Sequence, residues 1–212
     1  MSSTDLIYHI TLLRHAESTG NAENLLQGQM DLPLTEKGRS QARALAQRWK
    51  TEGVMFDMAI ASPLVRARET AEIVLAAIPA SLEFDSLWME RNNGQFAGLR
   101  EDQVRATHKE EDFTNPYQAV AETGESDWAL YLRGGQALLS LMRRPPGKYL
   151  IVSHGGILNM TLYAILGITP APNFQGPRFR FPNAGFSQFR YYPSKHRWRV
   201  DVLGDRAHWK EE

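Results

Sequence analysis

Arg14-His15 closes an apolar run from Ile7 to Leu13, and His154 closes a second one beginning at Tyr149. An imidazole at neutral pH is a nucleophile, a proton carrier or a metal ligand, whereas a guanidinium is a permanent fork that fits phosphoryl oxygens. A cation beside an imidazole therefore points to phosphate chemistry. Arg66, in Ser62-Pro63-Leu64-Val65-Arg66, is a candidate second fork. Two histidines also invite a divalent metal. No Asp or Glu lies at recognisable ligand spacing, however, and the adjacent guanidinium would repel a cation, so no metal site is expected. A lone histidine at a strand end is more often a core residue satisfied by a carbonyl. Arg14 and the parallel case of His154 weigh against that reading here.

These residues need elements to hold them. Ile7 to Leu13 and Tyr149 to His154 read as buried strands, and neighbouring strands of an open α/β sheet would bring both histidines to one crevice. Thr35 can cap a helix to about Glu52, ended by Gly53. A strand is expected over Met55 to Ala61, then a helix from about Pro63 to Ala77 with the proline in its first turn. Ser81 to Leu87 reads as a shorter strand, Trp88 to Leu99 as loop, and Glu101 to about Glu111 as a charged helix. Phe113 to Glu125 reads as an irregular connection. A helix follows over Trp128 to Met142, with Leu132, Leu139 and Met142 as its apolar positions. Gly155-Gly156 opens an apolar helix to about Leu166, where backbone N–H groups could approach an anion. Pro170 to Pro182 is loop. Ala184 to Tyr192 and Trp198 to Val202 pair as strands through a turn at Pro193-Ser194-Lys195. Strands alternating with helices predict an α/β fold whose sheet is parallel over most of its width.

Composition narrows the rest. The chain has 212 residues with no internal repeat or linker, which favours a single domain over 1–212. Lys and Arg number 24, balanced by 24 Asp and Glu, so no nucleic-acid or acidic-membrane partner is implied and any cationic site must be local. The absence of cysteine excludes disulfides, thiolate metal sites and cysteine nucleophiles. The first residues lack the basic and apolar regions of a secretion signal, and no run is long enough to span a membrane. A cytoplasmic, soluble protein is the default expectation.

Several segments, in order, make the chain resemble the histidine phosphatase superfamily, also called phosphoglycerate mutase-like. They are Leu13-Arg14-His15-Ala16-Glu17 with Asn21, Ser62 to Ala71 (Ser-x-x-x-Arg-Ala-x-x-Thr-Ala), and Leu87 to Leu99 with Glu90, Gly94 and Gly98. Ser153-His154-Gly155-Gly156 matches a further segment; Gly124-Glu125-Ser126 and Pro182-Asn183-Ala184-Gly185 also resemble family sequences. The resemblance implies a three-layer sandwich with a mostly parallel central sheet flanked by helices. It also implies a phosphohistidine mechanism of the histidine acid phosphatase type. His15 would be the nucleophile, Arg14, Arg66 and His154 would hold the phosphoryl group, and Glu90 would be the proton donor. Asn21, Gln27, Gly28, Arg91 and Gly155 are candidate substrate-binding residues. No cofactor is implied. A small phosphorylated metabolite is the expected partner, and a homodimer is the candidate assembly.

The family's mutases carry Glu-Arg-His-Tyr-Gly, then a Lys, then an Arg-Arg pair, which serve the substrate carboxylate and second phosphate. This chain has Asn92-Asn93 in place of His-Tyr, Glu101 where the lysine would stand, and no Arg pair between Phe113 and Glu125. A metal-independent phosphomonoesterase is therefore expected. A cofactor-dependent mutase is the alternative, and a non-catalytic phospholigand-binding module a weaker one. The substrate is not legible: Arg91 and Arg100 favour an anionic leaving group, Phe113 and Tyr117 an apolar one. Asp205-Arg206-Ala207-His208 resembles a family ending but is given no catalytic role.

Overall fold

A computed structural model describes residues 6–107, 115–171 and 176–210. Six strands form one sheet: β1 (Tyr8–Arg14), β2 (Met58–Ala61), β3 (Ser81–Phe84), β4 (Lys148–Ser153), β5 (Phe186–Tyr192) and β6 (Arg197–Asp205). Their spatial order is β3-β2-β4-β1-β5-β6. The pairs β3·β2, β2·β4 and β4·β1 are parallel, and β5 runs antiparallel to both of its neighbours. The helices are α1 (Thr19–Ala22), α2 (Glu36–Thr51), α3 (Val65–Ala77), α4 (Glu101–Thr107), α5 (Asp127–Met142) and α6 (Gly155–Leu166).

Both faces of the central strands are buried, which explains why their apolar runs are continuous rather than alternating. Ile10, Leu12, Tyr149 and Ile151 face Ala137 and Leu141 of α5 and Leu158 and Leu162 of α6. Leu13, Leu150 and Val152 face Leu45 and Trp49 of α2 and Ala67, Ala71 and Val74 of α3. The fold is thus the expected three-layer sandwich. Among the described residues no helix is long and apolar enough to cross a membrane.

Several expected boundaries shift for local reasons. Pro63 does not open α3. Leu64 is its N-cap, and the first free N–H groups bind Ser62 Oγ (from Leu64, 3.3 Å) and the Asp31 carboxylate (from Val65, 2.6 Å). The strand expected over Met55 to Ala61 is ordered as strand only from Met58. The one expected to Leu87 stops at Phe84, where Asp85 caps a 3-10 turn over Ser86–Trp88. The turn after β1 contains the one-turn helix α1, capped by Ser18. α5 forms as expected. Leu132 and Leu139 are half exposed, while Leu130, Gly134, Ala137 and Leu141 are buried. A Cβ on Gly134 would stand 3.0 Å from Thr161 N, so the missing side chain is what lets α5 lie against α6. The helix expected to Glu111 is α4 as far as Thr107; its remainder, and Phe113, lie outside the described residues.

Candidate active site

The site forms at the carboxyl ends of β1, β4 and β2, the parallel core of the sheet. Arg14 pairs in register with Ser153, so the next residues on each strand, His15 and His154, project side by side. Their rings lie 5.0 Å apart between centroids. The turn Pro182 to Gly185 closes the end of β1: Ala184 N–H and Asn183 Nδ2 both donate to the His15 carbonyl (3.2 Å each), and Arg14 N–H donates to Gly185 (3.0 Å).

The His15 ring is buried, and its Nδ1 lies 2.7 Å from the Ala16 carbonyl. A carbonyl only accepts, so Nδ1 carries the proton and Nε2 keeps its lone pair. Burial, then Arg66 and Arg14, hold the His15 pKa well below the ordinary 6.5. The ring is neutral at pH 7, with the Nε2 lone pair available. His154 is fully buried, and its Nε2 sits 2.7 Å from Ser62 Oγ. Its pKa is also held well below 6.5, by burial first, then by Arg66, His15, Arg14 and Arg133. A neutral imidazole is here a hydrogen-bonding group rather than a positive charge.

The positive charge comes from two guanidinium groups. Arg66, 1% exposed, donates from Nη1 to the Met30 carbonyl and from Nη2 to the Gly28 carbonyl, both at 2.7 Å. Burial brings its pKa down to about 10, so it stays charged at pH 7. Arg14 Nη1 donates to the Phe181 carbonyl (2.8 Å). Arg14 Nε, Arg66 Nε and His154 Nδ1 are buried and lack partners among the described residues. Buried polar atoms of this kind are costly unless a ligand uses them.

Glu90 reaches the same place from the loop after the Ser86–Trp88 turn. Its Oε1 accepts from Arg91 N–H (2.8 Å) and Ile157 N–H (3.2 Å), and its Oε2 from Gly156 N–H (3.0 Å). The Gly156 and Ile157 N–H groups at the start of α6 therefore bind the Glu90 carboxyl group, while Gly155 lines the cavity. A Cβ on Gly156 would collide with the Glu90 carboxylate. The loop is held by Arg133, which donates to the carbonyls of Leu87 (2.9 Å), Met89 (2.6 Å) and Glu90 (3.1 Å). Arg133 is also paired two-pronged with Glu125 (2.8 and 2.6 Å).

Nine of the ten candidate residues line one cavity of about 300 Å³: Arg14, His15, Asn21, Gln27, Gly28, Arg66, Glu90, Arg91 and Gly155. His154 lies behind it. Asn21 Oδ1 accepts from Ser18 Oγ (2.9 Å) and Asn183 Nδ2 (3.0 Å), which turns its amide nitrogen outward. The Ser18 hydroxyl also lies 2.7 Å from Gln27 Oε1. Gly28 has φ +50° and takes part through the carbonyl that holds Arg66. Arg91 Nη2 is paired with Asp127 Oδ1. A second cavity of about 540 Å³ adjoins the first and shares Arg14, Leu26, Arg91, Glu101, Gly155 and Gly156 with it. Among the described residues no group of three or more His, Cys, Asp or Glu is arranged to hold a metal ion.

The model of the histidine phosphatase superfamily, branch 1, matches residues 10–206. The chain belongs to this superfamily. Among other histidine phosphatase-like proteins, it is 36% identical over 210 residues to a protein from Shigella boydii named probable phosphoglycerate mutase GpmB, covering 94% of both chains. Among solved structures, Bacillus stearothermophilus YhfR superposes with a TM-score of 0.82 at 29% identity, covering 95% of this chain and 98% of that one. A mycobacterial glucosyl-3-phosphoglycerate phosphatase, in complex with VO3, superposes with a TM-score of 0.79 at 25% identity, covering 93% and 98%.

Several residues that orient the site were quoted in the sequence without a role: Ser62, Thr70, Glu125 and Asn183. Thr70 Oγ1 donates to the Arg66 carbonyl (2.6 Å) and accepts from Ala16 N–H (3.1 Å), tying the two guanidinium-bearing elements together. Arg133 and Asp127 were not singled out. Asp205 is paired with Arg48 of α2 (2.9 Å to each oxygen) and lines neither cavity.

Proposed function

We propose that the protein is a metal-independent phosphomonoesterase acting on small phosphorylated metabolites through a phosphohistidine. The observation that carries this is the single cavity where a neutral His15, its Nε2 unprotonated, meets Arg14, Arg66 and Glu90. Nε2 attacks phosphorus, the P–O bond to the alcohol breaks, and the protonated Glu90 gives its proton to the departing oxygen. Glu90 Oε2 accepts only one backbone N–H, which leaves a lone pair for that proton. The phosphorylated ring becomes cationic, and its Nδ1–H keeps the Ala16 carbonyl as partner. Arg14, Arg66, Asn21 and His154 Nδ1 stabilise the equatorial oxygens. Water then attacks phosphorus, the P–N bond breaks, Glu90 takes the water proton, and inorganic phosphate leaves with His15 restored.

Relatives bearing the name phosphoglycerate mutase make isomerisation the second reading. A mutase must retain a second anionic group against water. Here Arg91 is paired with Asp127, and Arg100 is paired with Asp102 and lines neither central cavity. Glu101, an acid, lines both. Hydrolysis of an aryl phosphate tests the proposal. Turnover should be insensitive to chelator, lost in His15→Ala, and accompanied by an acid-labile phosphoryl group on the His15 peptide. Full activity in His15→Ala refutes the mechanism. Robust isomerisation of phosphoglycerate with a bisphosphoglycerate primer, and little hydrolysis, would favour the mutase.

A further inference from the structure

The two cavities differ in what their walls can still offer. The smaller has Arg66, the His15 imidazole and Glu90; the larger adjoins it through six shared residues, Arg14 and Arg91 among them, and is the space open to whatever the phosphate is attached to. In the larger one, Asn159 is committed to the backbone: Nδ2 donates to Gly155 and Phe179 carbonyls (2.9 and 3.0 Å), and Oδ1 accepts from Phe179 N–H (2.8 Å). Tyr163 donates its hydroxyl to the Pro177 carbonyl (2.9 Å). Met160 and Phe179 add apolar wall.

Besides Arg14, the cation that lines both cavities is Arg91, and it is paired. Its side chain is 15% exposed and is paired with Asp127, whose side chain is 11% exposed. Water screens such a pair poorly, so the two fields largely cancel at the cavity wall. Asp127 is the first residue of α5, where Ser126 already caps the helix through Ala129 N–H (3.0 Å). Glu101 adds negative charge at the mouth, weakened by solvent because its side chain is 59% exposed; its partner Arg105 is 80% exposed. Arg178 also lines this cavity and is exposed, so solvent weakens its pull.

Resting on the phosphatase reading, we infer that the larger cavity takes an uncharged leaving alcohol, and that Asp127 sets this preference by neutralising Arg91. A carboxylate on the leaving group would lose its water with the solvent-exposed Arg178 as the only cationic wall residue, among the described residues, besides Arg14 and the paired Arg91, and would face Asp127. Specificity of this kind is a difference between two affinities, built here by opposing the wrong substrate.

A matched pair of substrates tests it. Glycerol 3-phosphate and 3-phosphoglycerate differ only in carrying a hydroxymethyl or a carboxylate group at the carbon farthest from phosphate. Phosphate release from both is measured with the wild-type chain and with Asp127→Asn. The wild type should have the higher kcat/KM on glycerol 3-phosphate. In Asp127→Asn the ratio should move toward the acid by roughly tenfold, the scale of one charge-assisted bond regained, and mainly through KM. If the wild type prefers 3-phosphoglycerate, the inference is overturned without any variant, including when Asp127→Asn does not fold. An unchanged ratio in a folded, active Asp127→Asn also overturns it, as would a carboxylate bound by Arg178. A wild type that hydrolyses neither compound nor an aryl phosphate instead sinks the phosphatase reading, and the substrate assignment falls with it.

Discussion

Arg133 makes a sharp test of how Glu90 is held. Its guanidinium joins three successive parts of the Glu90 loop to Glu125, with side-chain exposures of 17% for Arg133 and 15% for Glu125. Arg133→Gln cannot span these partners. It leaves the Glu125 charge without its counter-ion and frees the carbonyls of Leu87, Met89 and Glu90. Breaking one side of a largely buried pair costs about 3 kcal/mol. For a chain of this size that is a fall in Tm of roughly 6–12 °C. Glu125→Gln in the same chain should recover part of this, because the stranded charge is gone. The catalytic consequence is separable from the loss of stability. A displaced Glu90 penalises only leaving groups that need a proton. Turnover of an alkyl phosphate should fall by about 10²-fold, whereas p-nitrophenyl phosphate, whose phenolate leaves unaided, should change little. Arg133→Lys, with the charge but not the fork, should lie between wild type and Arg133→Gln. Equal losses on both substrates, measured below the melting transition, would refute a role in positioning Glu90. An unchanged Tm would refute the energetic argument.

Two other outcomes follow from the site. Gly156→Ala places a methyl group in the volume of the Glu90 carboxylate, so it should lower alkyl phosphate turnover while leaving the secondary structure seen by circular dichroism intact; retained turnover counts against the observed Glu90 geometry. The buried histidines also give a signed pH dependence. His15 and His154 have folded pKa values below the unfolded 6.5, so the unfolded chain binds more protons once the pH drops. Their contribution is complete above pH 6.5 and is lost as the pH falls below it. Urea unfolding should show a decline of about 1 kcal/mol per histidine between pH 6.5 and 5.5. A flat profile over that interval would contradict their burial as neutral rings.

Much of the candidate site was legible because Arg14, His15 and His154 sit at the ends of recognisable runs. Apolar strands ending in Arg14-His15 and Ser153-His154 announce themselves, and the sheet then places the two ends together. The supporting residues were harder. Glu125 and Arg133 are eight positions apart, and Arg91 and Asp127 thirty-six, spacings that no helical or strand period marks. The inward face of α5 was not legible for a different reason. Its large apolar residues include the half-exposed Leu132 and Leu139, whereas its buried face includes Gly134 and Ala137. A helix start is a general anion site, and sequence cannot say that the Glu90 side chain takes the Gly156 and Ile157 N–H groups.

The pairing of Arg14 with Ser153 also bears on how this protein is made. The spacing of the two histidines is inherited from the β1·β4 ladder, so it cannot be approached by degrees. A slip of one residue would turn the side chains of a whole strand to the other face of the sheet and part the rings. Misregistered chains would then be silent rather than weakly active. Measured per mole of protein, turnover becomes a count of correctly threaded molecules, and refolding yield can be read from the assay itself.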